Sequence, residues 1–145
     1  MAELAPAGPD DAAALARIAA RSLPSPWDQS AFESELARPR TRCHVARVDG
    51  APIAYALGWQ VHDQLEVLSL AVDPDWREMG VGRSLLDAYL KSLQIGGVRK
   101  VLLEVRASNL AAQNLYQALG MTECGHRARY YADGEDALVF STELS

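Results

Sequence analysis

Glu104 is a lone carboxylate inside the apolar run Val101-Leu102-Leu103-Glu104-Val105. An ionised carboxylate in such surroundings is costly, so it is paired, wetted at a strand end, or poised to accept a proton. Pairing with Arg99 or Arg106 is the structural reading. Asn109 and Tyr116 stand seven residues apart, hence on nearly one face of a helix. A tyrosine so placed is ordinarily amphipathic packing. In Arg77-Glu78-Met79-Gly80-Val81-Gly82 the glycines allow successive backbone N–H groups to point one way, and a helix start adds partial positive charge, which suits a phosphate or pyrophosphate. No Gly-Lys-Ser/Thr follows, so this is not a Walker loop. Leu85 occupies the place of a third glycine, so it is not a dinucleotide fingerprint either. Two glycines beside a helix start also serve as a tight turn.

The elements that must hold these residues follow from periodicity and punctuation. Gly8-Pro9-Asp10-Asp11 reads as a helix start, with Leu15, Ile18 and Ala19 forming one apolar face over Ala12 to Ser22. Leu23-Pro24-Ser25-Pro26 breaks it. A second helix is expected from about Asp28 to Leu36, ended by Pro39. From Arg42 to His62 the pattern turns to strands, split by Asp49-Gly50, a dipeptide suited to a hairpin turn. Gln64 to Val72 is a third strand, nearly all apolar in its second half as if covered on both faces. A wide stripe of Leu85, Leu86, Tyr89, Leu90 and Leu93 makes Gly82 to Ile95 a helix, closed by Gly96-Gly97. Arg99 to Arg106 is again a strand, and Ser108 or Asn109 caps a helix running to Leu119-Gly120. Strands over Met121 to Ala128 and Ala137 to Leu144 flank the turn signal Asp133-Gly134. Pattern alone therefore gives an α/β or α+β sheet covered by helices on both sides.

A chain of 145 residues is expected to form one domain over 1–145. With 49% apolar and 23% charged residues it has ordinary globular composition, which argues against disorder and coiled coil. Fourteen basic against nineteen acidic residues leave a net charge of −5. That balance gives no footprint for nucleic acid or an anionic membrane. Cys43 and Cys124 show no metal or disulfide spacing and read as free thiols, so no metal is expected. No secretory signal or spanning segment is expected, which points to the cytosol. A monomer is expected because no apolar excess remains beyond one core.

Taken in order, a strand, a Gly-x-Gly helix start, a strand with one carboxylate, then Asn and Tyr on a helix, the chain resembles the GNAT family of N-acetyltransferases. Arg77, Gly80 and Gly82 match the family's Arg/Gln-x-x-Gly-x-Gly/Ala acetyl-CoA motif. Ala71-Val72-Asp73-Pro74-Asp75, the run from Leu103 to Asn109, and Asn114-Leu115-Tyr116 are similar to the RimI-type ribosomal-protein N-terminal acetyltransferases. Tyr130 to Ala137 is similar to the catalytic subunits of archaeal and eukaryotic N-terminal acetyltransferases as well. The resemblance spans nearly the whole chain, Pro26-Trp27 included.

It implies a central mixed, mostly antiparallel sheet of about six or seven strands, helices on both faces, and a splay between the two middle strands. Acetyl-CoA would be the co-substrate. Main-chain groups of Leu70, Ala71 and Val72 would meet its pantetheine arm. Backbone N–H groups from Glu78 through Met79, Gly80, Val81 and Gly82 to Arg83, beside Arg77, would wrap its pyrophosphate, and Asn109 would hold the arm. Glu104 would be general base and Tyr116 general acid, while Trp27, Tyr130 and Tyr131 would wall the acceptor cleft. The acceptor implied is a protein N-terminus, first of all the N-terminal alanine of ribosomal protein S18. Lysine, polyamine or another small amine is the near alternative, and a non-catalytic acyl-CoA-binding module is the alternative of another class. One departure stands out: the family commonly carries basic or amide residues where this chain has Glu78 and Met79. A carboxylate repels a pyrophosphate, and Arg77 and Arg83 are the groups available to offset it.

Overall fold

A computed structural model describes residues 2–145. The chain runs β1 (Glu3–Pro6), α1 (Ala12–Ser22), α2 (Gln29–Leu36), β2 (Thr41–Val48), β3 (Ala51–Val61), β4 (Gln64–Val72), α3 (Val81–Ile95), β5 (Lys100–Arg106), α4 (Leu110–Ala118), β6 (Thr122–Arg127) and β7 (Ala137–Glu143). Short 3-10 turns at Pro9–Asp11 and Pro74–Trp76 precede α1 and follow β4. Asp28 caps α2, its Oδ1 accepting from the Ala31 N–H at 2.9 Å. Asp49 and Gly50 both take positive φ, 51° and 82°, the geometry of a tight two-residue hairpin between β2 and β3. The expected elements are all present. Strand β1 was not foreseen, because four residues ending in proline carry little pattern. It sits where proline is tolerated, on the edge of the sheet against β2.

The seven strands form one sheet in the order β1-β2-β3-β4-β5-β7-β6. Every neighbouring pair is antiparallel except β4 with β5. Between those two comes the crossover helix α3, which a parallel connection requires. Helices α3 and α4 cover one face over Leu65, Val67, Leu85, Leu86, Tyr89, Leu103 and Phe140. The other face, under α1 and α2, packs Leu15, Ile18, Phe32, Val45, Tyr55 and Leu57. A mixed sheet clad on both sides is the expected fold class. Among the described residues no helix is long and apolar enough to cross a membrane.

Two ties fix the frame around the middle strands. Buried Asp11 receives a two-pronged contact from Arg47 at 2.8 and 2.7 Å, fastening the start of α1 to β2. This hydrogen bond from Arg47 holds the Asp11 carboxyl below its usual range. Arg21, near the end of α1, grips buried Asp73 just past β4 at 2.8 and 2.9 Å. The second tie anchors the end of β4 to α1.

Opposite Leu57 and Gly58 the register passes from Ser69 to Val67, so Leu68 is an extra residue and the bulge bends β4. A Cβ on Gly58 would come within 2.6 Å of the Glu66 carbonyl oxygen and 2.7 Å of Leu65 Cδ2. Gly58→Ala is therefore expected to destabilise the fold by about 1–3 kcal/mol, read as a lower urea midpoint at unchanged slope. An unchanged midpoint would show that the bulge has room to spare.

Candidate active site

Strands β4 and β5 pair only from Gln64 with Lys100 to Val67 with Leu103. Beyond that point β4 stays with β3 and β5 stays with β7. A cleft of about 590 Å³ opens between them. Residues 67–70 line one wall and residues 103–106 the other, while residues 22–25 and 130–132 close its ends. The expected splay is therefore present between the two middle strands.

The open edge of β4 presents its main chain in alternation. Asp73 N–H donates to the Ile53 carbonyl at 2.7 Å, toward β3. The Val72 carbonyl instead accepts Ser22 Oγ at 3.2 Å and Arg77 Nε at 3.4 Å. Since main-chain groups switch sides at each residue of an antiparallel strand, those of Val72 and Leu70 face the open edge and those of Ala71 face β3. Leu70 itself lines the cleft. Each strand of a splay has main-chain groups that no neighbour satisfies, and such groups seek a partner.

Next along the chain, Glu78 and Gly80 both adopt left-handed φ, 64° and 77°. Helix α3 starts without a side-chain cap, and its first intrahelical bond is Ser84 N–H to the Gly80 carbonyl at 3.0 Å. The N–H groups of Gly80, Val81, Gly82 and Arg83 have no protein acceptor among the described residues. Glu78 and Met79 are exposed, so the Glu78 carboxylate has water around it. Arg77 and Arg83 are exposed as well.

On the opposite wall, Glu104 is about one-fifth exposed, and its Oε1 lies 3.7 Å from Arg127 Nε. Its Oε2 is buried with no hydrogen-bond partner. Neither Arg99 nor Arg106 pairs with it, contrary to the structural reading of the sequence. Arg99 reaches only a neighbouring carbonyl, and Arg106 is taken by Asp133 at 2.7 Å and Glu135 at 3.0 Å. Tyr116 lines the same cleft, almost fully buried and edge-on to Phe140. Burial, with a smaller contribution from Tyr131, pushes its phenol up to about 12. Asn109 lines the cleft too, while its Oδ1 caps α4 by accepting from Ala112 N–H at 3.1 Å.

Both Tyr130 and Tyr131 border the cleft, their rings 5.2 Å apart and nearly perpendicular. The Tyr130 phenol is held above its ordinary range first by its polar contact with Glu104 and then by burial. Trp27 is not among the lining residues. Its ring packs on Phe32 at 5.4 Å, and Ser22 to Ser25 line the cleft instead. Sequence reading missed the cluster of Arg106, Asp133 and Glu135, although three acids within Asp133-Gly134-Glu135-Asp136 are its visible signal. Neither cysteine touches the cleft: burial pushes the Cys43 thiol up to about 12, and Cys124 lies exposed on β6.

The pattern of the acetyltransferase (GNAT) family matches residues 12–121. The chain belongs to that family. It is 36% identical over 138 residues to the [ribosomal protein bS18]-alanine N-acetyltransferase of Escherichia coli K12, with 93% of each chain covered. It is 41% identical over 117 residues to the N-alpha-acetyltransferase RimI of Mycobacterium tuberculosis, covering 77% of this chain and 72% of that one. The crystal structure of the Escherichia coli ribosomal-protein-S18-alanine N-acetyltransferase superposes with a TM-score of 0.93 at 34% identity, over 100% of this chain and 95% of that one. The GNAT fold and the RimI-type resemblance are thus borne out, and the protein is an acetyltransferase.

Because burial disfavours the phenolate, Tyr116 stays protonated well past neutrality. The phenolate absorbance gained between about pH 8 and pH 11 is accordingly expected to be the same in Tyr116→Phe as in the native chain. A smaller gain in the variant would mean that the Tyr116 phenol is hydrated.

Proposed function

We propose that the protein moves an acetyl group from acetyl-CoA to the N-terminal amine of a protein, first of all the N-terminal alanine of ribosomal protein S18. The observation that carries this reading is a carboxylate with a buried, unpartnered oxygen and a desolvated phenol on one cleft, reached along an unpaired strand edge. The names of the relatives support the acceptor.

The residues present fit acetyl-CoA. Free N–H groups of Gly80 to Arg83 at the start of a 15-residue helix suit a diphosphate, aided by Arg77 and Arg83. The departure at Glu78 is tolerable here, because its side chain is exposed while the main chain around it stays free to donate. Main-chain groups of Leu70 and Val72 suit the amides of a pantetheine arm, with Asn109 opposite. The bound thioester supplies an activated acyl carbon at the cleft between Glu104 and Tyr116.

An α-amine has a pKa near 7.7–8.0 against about 10.4 for lysine, so freeing its lone pair at neutral pH asks little of a base. Glu104, through a water, takes the amine proton as the N–C bond forms and the C–S bond breaks. The departing sulfur has an acidity close to that of a cysteine thiol, about 8.5. Tyr116, at about 12, is the weaker acid, so complete proton transfer to the thiolate runs roughly 5 kcal/mol uphill. Tyr116 therefore donates a strong hydrogen bond to the leaving sulfur, and the thiolate completes its protonation as it reaches water. No protein nucleophile is needed, in keeping with two cysteines away from the cleft. In this reading the 145 residues act as one domain, as a monomer in the cytosol, and a net charge of −5 offers nothing to nucleic acid or membrane.

Acetyl-CoA at about a hundredfold over its Kd is expected to stabilise the fold by about 2.7 kcal/mol. Glu104→Gln and Tyr116→Phe should keep that stabilisation while kcat falls, by about 10²–10⁴-fold for Glu104→Gln, which removes a proton acceptor, and by about 10²–10³-fold for Tyr116→Phe, which removes a hydrogen-bond donor to the developing charge. The acceptor is tested with a peptide beginning Ala-Arg, the same peptide without lysine, and a free polyamine. Equal turnover of the first two and little of the third is expected. Preference for the polyamine overturns the acceptor assignment.

A further inference from the structure

The nine residues between β6 and β7 form no helix or strand, yet they carry Tyr130 and Tyr131 to the cleft. Their base is held by Asp136. Its carbonyl accepts Ala107 N–H at 3.0 Å, its Oδ1 accepts Arg129 N–H at 2.9 Å, and its Oδ2 meets His126 Nε2 at 2.8 Å. These contacts leave the tip, from Tyr130 to Glu135, to be fixed by something else.

Within the tip, the Tyr131 N–H donates to the Glu135 carbonyl at 3.1 Å and the Gly134 N–H to the Tyr131 carbonyl at 2.8 Å, which shapes the turn, and one guanidinium docks the turn on the sheet. Arg106 lies two residues beyond Glu104 on the same strand and so on the same face of the sheet. Its Nη1 donates to Asp133 Oδ2 at 2.7 Å and to Glu135 Oε1 at 3.0 Å, and its guanidinium carbon sits 4.1 Å from the centre of the Tyr131 ring. Glu135 passes the tie onward, because its Oε2 accepts the N–H of Ser108 at 2.8 Å, one residue before the cap of α4. A single side chain thereby joins the strand of Glu104, the start of the helix bearing Tyr116, and the loop bearing Tyr130 and Tyr131. Lone surface ion pairs contribute little. Here, however, Arg106 and Glu135 are each only about one-quarter exposed, and two carboxylates converge on one cation stacked over a ring. Without that cation, Asp133 and Glu135 would repel each other and the tip would lift away from β5.

We propose that Arg106 is a positioning residue for the acceptor: it clamps the loop between β6 and β7 so that Tyr130 and Tyr131 wall the cleft beside Glu104. This rests on the function proposed above. The acetyl-CoA side is built mainly from β4 and the start of α3, and its one residue near the clamp, Asn109, is held by main-chain and capping bonds that do not use the Arg106 side chain. Loss of the clamp therefore separates the two substrates.

The test compares the full-length native chain with Arg106→Met and Arg106→Lys. For Arg106→Met the acceptor-peptide KM is expected to rise about tenfold or more, while the acetyl-CoA KM stays within about twofold. Lysine, which cannot bridge two carboxylates and stack at once, is expected to fall between. Trypsin gives a readout independent of catalysis, because Arg129 lies in the loop: its cleavage, followed by mass spectrometry, should quicken in Arg106→Met. Should that variant fail to fold, Glu135→Gln weakens the same clamp and is expected to move both readouts in the same direction. An unchanged acceptor KM with unchanged cleavage at Arg129 overturns the proposal, as does an equal rise in both KM values. If the native chain acetylates no N-terminal peptide, the acceptor assignment falls, and the Arg129 cleavage rate alone still decides the clamp.

Discussion

Two adjacent strands that stop hydrogen-bonding halfway along their length are the constraint around which this molecule is arranged. Strands β4 and β5 share four paired positions and then part. Separation leaves main-chain donors and acceptors without a ladder, which is unfavourable unless each strand is satisfied elsewhere. On the far side β4 keeps its register with β3 to Val72 and β5 keeps its register with β7 to Arg106, so only the groups that face the gap lack a ladder partner. The bulge at Leu68 falls where the pairing ends, and charged ties anchor the two strand ends beyond it. Arg21 draws Asp73 toward α1, whereas Arg106 secures the end of β5 to the loop beyond β6. The cleft is thus a product of the frame.

The chemistry inherits its character from that gap. A carboxylate and a phenol that would be ordinary surface groups elsewhere are here largely removed from water, one with an oxygen lacking a partner and the other pushed up to about 12. Burial keeps the proton on the phenol, which leaves it a hydrogen-bond donor beside an acceptor carboxylate. An acyl transfer by direct attack needs little more than this, together with the positioning of two substrates in line. The unsatisfied main-chain amides at the start of α3 belong to a different element from either of these side chains.

The periodicity of Leu85, Leu86, Tyr89, Leu90 and Leu93, the Asp49-Gly50 turn and the capping residues Asp28 and Asn109 carry enough local information to locate all four helices and six of the seven strands. Strand β1 escaped because its four residues are held by pairing with β2, a contact that no local pattern encodes. Glu104 was legible as a candidate because an acid in an apolar run is costly, whereas Tyr116 and Gly80, each ordinary by itself, gained their roles from the order of motifs that resembles the family. The position of Trp27 was not legible: whether an aromatic after a double-proline break faces a cleft or packs on Phe32 depends on the path of the connection. The partners of Arg106 were likewise hidden, since Asp133 and Glu135 lie 27 and 29 residues away along the chain.

The sequence by itself therefore determined the elements, their order and the residue types able to do acyl-transfer chemistry, because capping, turn geometry and hydrophobic period act over a few residues. Only the tertiary structure decided that Glu104 keeps a free oxygen, that Ala71 spends its main chain on β3 while Leu70 and Val72 face the gap, and that Arg106 serves the loop and not the carboxylate. Those outcomes depend on which strands meet and where they part. Long-range packing sets both, and it also controls how much water each polar atom retains.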